Sequence, residues 1–187
     1  MRDTDAGDHA RRYGSAAERL RAPERLALLE IPRVIALSLD GIPATSVLDV
    51  GTGTGVLAEA FAGVGMKVTG IDPNPELLEV ARLHVPNVVF QTGAAEKLPF
   101  DEGSFDLVMM GHVLHEADDP AAALAEAKRV ARRRVAVLEW PYVDEDRGPP
   151  LAHRLQPSQI ESLARSAGFA AVEWIVLSHM HFYRLTP

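Results

Sequence analysis

The chain has 187 residues, 47% apolar and 24% charged, with 19 Lys and Arg against 26 Asp and Glu and a net charge of −7. This fits one soluble globular domain and excludes extended disorder, a collagen-like repeat and a coiled coil. The acidic balance disfavours nucleic acid as a partner, and the absence of Cys excludes disulfides, thiolate-bound zinc and a cysteine nucleophile.

The first 45 or so residues read as a helical cap preceding a core over 46–187, the whole forming a single domain over 1–187. The polar opening stretch has no secretory core, and no apolar run approaches the ~18 residues of a membrane span. The expectation is a cytoplasmic protein. Ser15 and Glu18 have capping-box spacing, and Pro23 and Pro32 suit the first turns of two helices. Strands are expected at Ser46–Val50, Lys67–Ile71, Asn87–Gln91, Phe105–Met110 and Arg134–Trp140. Helices are expected around Leu57–Phe61, after Asn74-Pro75 and after Asp119-Pro120. Ser158 and Glu161 form a second capping-box pattern, with Gly168 as helix stop. Ala171–Ser178 and His181–Leu185 are separated by a short connection, which favours an antiparallel pair. Short strands alternating with helices predict an α/β fold with a mostly parallel sheet covered on both faces. The arginine run at 132–134 reads as a solvated helix end favoured by the dipole.

The sharpest feature is Asp49-Val50-Gly51-Thr52-Gly53-Thr54-Gly55, a glycine-rich turn between a strand and a helix, where open α/β sheets bind ligands. Asp72 ends the next strand, 72 − 51 = 21 positions after Gly51, close to the ~20 expected of a ribose-binding carboxylate. A nucleoside cofactor follows. The glycine spacing departs from the dinucleotide fingerprint, and Asp49 places negative charge where a diphosphate would suffer. A ligand carrying an ammonium or sulfonium suits that acid. No Lys follows the glycines, so the loop is not a P-loop.

Together with Gly70-Ile71-Asp72-Pro73-Asn74 and Leu98-Pro99-Phe100-Asp101-Glu102-Gly103-Ser104-Phe105-Asp106, this loop resembles the class I S-adenosylmethionine-dependent methyltransferases over Ser46–Trp140. A closer likeness, to the ubiquinone/menaquinone-biosynthesis type, rests on the segments His112–Glu116, Glu126–Val130 and Leu138–Trp140. The resemblance implies a Rossmann-like three-layer sandwich of about seven strands with the last antiparallel. It implies S-adenosyl-L-methionine as cofactor, held by Asp49, Gly51, Thr52, Gly53, Gly55, Asp72, Pro73, Ala94, Ala95, Glu96, Gly111 and His112. Asp49 would take the amino group, Asp72 the ribose and residues 93–96 the adenine. Two departures stand out. Ala94 replaces an acid common in the family, with Glu96 or the backbone groups of Ala95 as candidate substitutes. The turn before the fifth strand also lacks the family's Pro-Gly-Gly.

A sulfonium already activates its methyl group, so the protein must chiefly align an acceptor and exclude water. His112, His115 and Glu139 are the catalytic candidates, with Glu116 nearby, since His is suited to proton transfer near neutrality. Each has a plainer reading: His112 as packing against the cofactor, His115 and Glu116 as polar groups at a helix start, Glu139-Trp140 as a corner of the sheet. His153, His179 and His181 are dispersed, and no metal is expected. Tyr13 and the segment Pro141–Pro157 are candidate lids. The expected partner is a small-molecule methyl acceptor, and the expected assembly a monomer or homodimer. The competing expectation is a non-catalytic module that binds the same cofactor.

Overall fold

The computed structural model describes residues 17–187; the Ser15 cap and Tyr13 lie outside the described residues. Residues 17–20 are helical. Helices α1 (Pro23–Leu28) and α2 (Ile31–Leu39) follow, each with proline in its first turn as the sequence predicts. Strands and helices then alternate: β1 (Ser46–Val50), α3 (Val56–Gly63), β2 (Lys67–Asp72), α4 (Pro75–His84), β3 (Val89–Thr92), β4 (Phe105–Gly111), α5 (Pro120–Val130) and β5 (Ala131–Glu139). A short 3-10 turn (Leu151–His153), α6 (Pro157–Ser166), β6 (Ala171–Val176) and β7 (His181–Thr186) complete the chain.

The seven strands form one sheet in the order β3-β2-β1-β4-β5-β7-β6. The pairs among β1 to β5 are parallel, and β7 runs antiparallel to both β5 and β6. This is the expected Rossmann-like sheet. The strand order reverses between β1 and β4, so the crevice beyond their carboxyl ends is where a ligand belongs.

Strand periodicity explains the layers. Val47, Leu107 and Met109 face one side with Phe61 of α3 and Leu78 of α4. Their neighbours Leu48, Val108 and Met110 face the other with Leu124 of α5 and Ile160 of α6. Successive residues point to opposite faces, so central strands covered on both sides become continuous apolar runs. Asn74 and Asp119 cap α4 and α5 as expected, each side chain accepting from two backbone N–H groups.

Four local expectations are corrected. β3 begins at Val89 rather than Asn87. β5 begins at Ala131, so the arginine run lies in a strand rather than on a helix end. Arg132 pairs with Asp106 at 2.6 Å, and Arg134 donates to the carbonyls of Ser38 and Asp40 at the end of α2. The arginines are thus spent on long-range partners, one of them another helix's C-terminus. The N-cap of α6 is Gln156, not Ser158: Pro157 opens the helix and the Gln159 side chain accepts from the Gln156 N–H at 2.7 Å. The link from β3 to β4 has no helix. α5 staples it instead: Glu126 accepts from the Leu98 N–H, and Arg129 donates to the carbonyls of Leu98 and Phe100.

Candidate active site

The glycine loop leaves β1 at the point of reversal. Gly51, Gly53 and Gly55 all have positive φ, at 64°, 53° and 78°, a region costly for side-chain-bearing residues. At Gly51 a Cβ would also lie 2.5 Å from a methyl of Val113. The loop is tied down by the two acids. Asp49, 1% exposed, accepts from the Thr52 hydroxyl at 2.6 Å and the Ala58 N–H at 3.1 Å. Asp72 accepts from the Gly53 N–H at 2.8 Å and the Asn74 N–H at 2.9 Å, so one carboxylate joins the loops after β1 and β2. Burial raises the carboxyl pKa of both acids. Asp49 is pushed up to about 7, with the negative charge of Asp72 adding to the effect of burial.

The loops after β4 and β5 form the opposite wall. His112 has a left-handed backbone, φ 61°, held by its N–H donating to the Leu138 carbonyl at 2.8 Å. Its ring stacks on Trp140, centroids 5.2 Å apart. Arg25 of α1 approaches Nδ1 at 3.3 Å and Met180 Sδ approaches Nε2 at 3.3 Å. A guanidinium can only donate, so Nδ1 accepts and the ring proton sits on Nε2. Burial, with the charges of Arg25 and His115, drives the His112 pKa well below its ordinary value. Both nitrogens are engaged and the ring is held neutral, so His112 is built as an anchor more than as a proton acceptor.

Glu139 lies beneath the turn that carries His112. It accepts from the N–H groups of Leu114 (2.9 Å) and Trp140 (3.3 Å), and from His115 Nδ1 at 2.7 Å. Burial opposes the charged form of His115, but the Glu139 bond and charge leave its pKa raised. Beyond Trp140, the Arg154 guanidinium lies 5.5 Å from the indole centroid. Arg154 is 4% exposed and gathers the carbonyls of Pro141, Val143, Arg147 and Pro149 together with Glu145. The Pro141–Pro157 segment is therefore a structured rim. Gly148 makes this possible: its φ is 78°, and a Cβ there would meet the Trp140 indole at 2.7 Å.

Between the walls lie two adjoining hollows of about 130 and 390 Å³ that share Gly51, Asp72, Leu77, His112 and Glu116. The smaller is lined by Asp49, Thr52, Gly53 and Gly111, the larger by Pro73, Ala94, Ala95 and Glu96. Gly55 sits behind, starting α3. Glu96 is turned partly away, one oxygen accepting from the Asp118 N–H at 3.1 Å. Two catalytic candidates lie outside: neither His115 nor Glu139 lines either hollow. The two side chains bond each other, and Glu139 also takes the backbone N–H groups of Leu114, His115 and Trp140 beneath the turn. The exposed Glu116 faces the cleft instead. Sequence reasoning missed Arg25, Leu20 and Leu29, which the N-terminal helices bring over the glycine loop. Arg21 donates to the Thr54 carbonyl at 2.7 Å.

The family model described as Methyltransferase domain matches residues 48–138, from β1 through β5. A solved S-adenosylmethionine-dependent methyltransferase from Aquifex aeolicus superposes with a TM-score of 0.81 at 26% identity, covering 91% of this chain and 96% of that one. The chain carries this methyltransferase domain over β1–β5 and shares the fold of a class I S-adenosylmethionine-dependent methyltransferase. Its likeness to the ubiquinone/menaquinone type is also found. It is 44% identical over 95 residues to a demethylmenaquinone methyltransferase of Chlorobaculum tepidum, covering 50% of this chain and 39% of that protein. It is 32% identical over 145 residues to a ubiquinone/menaquinone biosynthesis C-methyltransferase of Citrifermentans bemidjiense, covering 68% and 61%. An uncharacterized methyltransferase of Mycobacterium tuberculosis is 42% identical over 106 residues, covering 56% and 43%. The chain thus spans less than two thirds of the length of these curated relatives.

The residues present fit the family's cofactor. Two carboxylates whose pKa values are raised by burial, that of Asp49 also by the charge of Asp72, form a site that a cation would relieve. The Thr54 hydroxyl, on the wall of the hollow, is buried without a partner among the described residues.

Proposed function

We propose that the chain transfers a methyl group from S-adenosylmethionine to a small-molecule acceptor. The observation that carries this is the cleft itself: a glycine loop clamped by Asp49 and Asp72, opening onto a wall of apolar side chains and His112. Asp49, with Thr52, Gly51, Gly53 and Gly111, would hold the methionine end. Asp72 would take the ribose hydroxyls with lone pairs left over from its backbone bonds. Pro73, Ala94, Ala95 and Glu96 would flank the adenine. With Ala94 in place of an acid, the base relies on the backbone and on the free oxygen of Glu96.

When bound, the cofactor would supply a sulfonium-activated methyl group for an acceptor lone pair, with the carbon–sulfur electron pair left on sulfur. The chain's own residues orient and desolvate. Leu29, Leu57 and Leu138 exclude water from the smaller hollow, which strengthens every electrostatic contact inside it. His112 shapes the floor. Glu139 and His115 act as positioning residues through the backbone of the turn. Glu116 is the exposed group able to pass an acceptor proton to solvent.

The same considerations extend to the wider setting. Residues 1–187 are proposed to work as one domain, with 1–45 as the cap that completes the acceptor pocket. The acidic charge favours a small acceptor over nucleic acid. Among the described residues no helix is long and apolar enough to cross a membrane, and a cysteine-free chain suits the cytoplasm. A monomer or homodimer is proposed. The test is calorimetric titration with S-adenosylmethionine and S-adenosylhomocysteine beside NAD, followed by methyl-transfer assays on an acceptor panel. Cofactor binding with turnover supports the proposal; binding of NAD alone sinks it.

A further inference from the structure

The cleft has two electrostatic poles. Asp49 and Asp72 form one, with the charge of Asp72 felt at Asp49. Arg25 forms the other. It is half-buried on α1, lines the smaller hollow with Leu20 and Leu29, and its charge is felt by His112 and His115 rather than by the two acids. Among the described residues no carboxylate lies within ion-pair distance of its guanidinium; its one side-chain partner is neutral His112. Glu116 attracts it only at longer range. A desolvated cation without a counter-ion, aimed into a cavity, is costly unless a ligand completes it. The contact with His112 uses one terminal nitrogen and fixes the fork, leaving the other N–H donors of the planar group in the geometry that matches a carboxylate. The surrounding Leu20, Leu29, Leu57 and Leu138 suit a compact apolar body behind that carboxylate.

We propose that Arg25 is the receptor for a carboxylate on the methyl acceptor, which makes the substrate class small carboxylic acids with an apolar body. The role rests on the methyl-transfer function proposed above. A carboxylate is also carried by the cofactor's methionine; Arg25 lines the same hollow as Asp49 and Asp72 but bonds neither, and it is fixed instead on His112 of the opposite wall, which assigns the guanidinium to the acceptor.

The experiment compares wild type with Arg25→Gln and Arg25→Lys. Each is titrated calorimetrically with S-adenosylhomocysteine, and then with benzoate and its neutral isostere benzamide, with and without S-adenosylhomocysteine present. The expected result has wild type preferring benzoate over benzamide by at least about tenfold. Arg25→Gln loses that preference, Arg25→Lys keeps part of it, and S-adenosylhomocysteine affinity stays within about twofold throughout. Equal binding of benzoate and benzamide to wild type, or an undiminished preference in Arg25→Gln, overturns the proposal. So does a tenfold fall in S-adenosylhomocysteine affinity in Arg25→Gln, which would give the guanidinium to the cofactor's own carboxylate. Should Arg25→Gln fail to fold, Arg25→Lys decides by the same comparison, since it keeps the charge and loses the fork. Failure of wild type to bind S-adenosylhomocysteine defeats methyl transfer instead, and the benzoate titration of the ligand-free protein still reads Arg25.

Discussion

The two walls of the cleft are built by different means. The wall after β1 and β2 is local: the loop's φ angles and the Asp49 bonds to Thr52 and Ala58 fall within ten residues. The wall after β4 and β5 is assembled from afar: Glu139 reaches back 25 positions to Leu114, and Arg25 reaches His112 across 87. The first is a charged, pre-shaped receptor. The second is a neutral ring held in a strained turn by a buried carboxylate. The bonds of Asp49 stay within one loop and the start of its helix, whereas those of His112 and Glu139 draw on residues from the whole chain.

The sharpest way to break this division is Glu139→Ala. It strands the N–H groups of Leu114 and Trp140 and leaves His115 without its partner, all buried. A loss of about 3–5 kcal/mol of stability is expected in denaturant melts. Should Glu139→Ala instead retain stability and lose only turnover, Glu139 would belong among the reacting groups. On the first wall, Asp72→Ala should weaken S-adenosylmethionine binding by about 1–3 kcal/mol by calorimetry, because it removes ribose acceptors and unties Gly53 from Asn74. Unchanged affinity would remove Asp72 from the site. Gly51→Ala joins a disfavoured φ to a clash with Val113 of the opposite wall. It should cost about 1–3 kcal/mol in stability, and a double variant with Val113→Ala should recover the steric part only.

The smallest effect is in pH. Asp49 titrates at about 7, so affinity for the cationic cofactor should rise from pH 6 to 8, by at most about tenfold per unit below the midpoint. Asp49→Asn should flatten that profile. The sign for stability is opposite. The folded chain keeps a proton that the unfolded chain sheds near its ordinary value of 3.8, so this contribution is full below that value and lost as pH rises through about 7. Ligand-free melting should therefore be steadier in mild acid, and a profile identical in Asp49→Asn would disprove the assignment.

The same contrast explains what could be read in the sequence. The β1 loop, Asp72, the caps Asn74 and Asp119 and the antiparallel β6–β7 pair were legible because each is written within a short window: glycine spacing, a cap before proline, period-two apolar runs. β5 was placed three residues late because Arg132 and Arg134 look solvated until Asp106 and the end of α2 arrive to meet them. Ser158 looks like the cap of α6 because its hydroxyl fits the pattern, but Gln156 is the cap and Pro157 starts the helix two residues earlier than that reading implies. His115 and Glu139 are chemically apt for catalysis, and only the fold shows that they spend that aptitude on each other. Arg25 carried no motif at all; its meaning comes from packing across the chain.

Arg154 has a consequence for how the mouth of the cleft behaves. Four main-chain carbonyls and one carboxylate converge on a single guanidinium pressed against an indole, so a stretch without strands or long helices is strung like spokes to one hub. Residues on the outside of that wheel, such as Tyr142 and Asp144, can be exchanged for tags or labels with little penalty. Replacing the hub would let the whole rim unravel in one step, with exposed peptide bonds open to proteases and Trp140 fluorescence shifting toward that of a wetted indole.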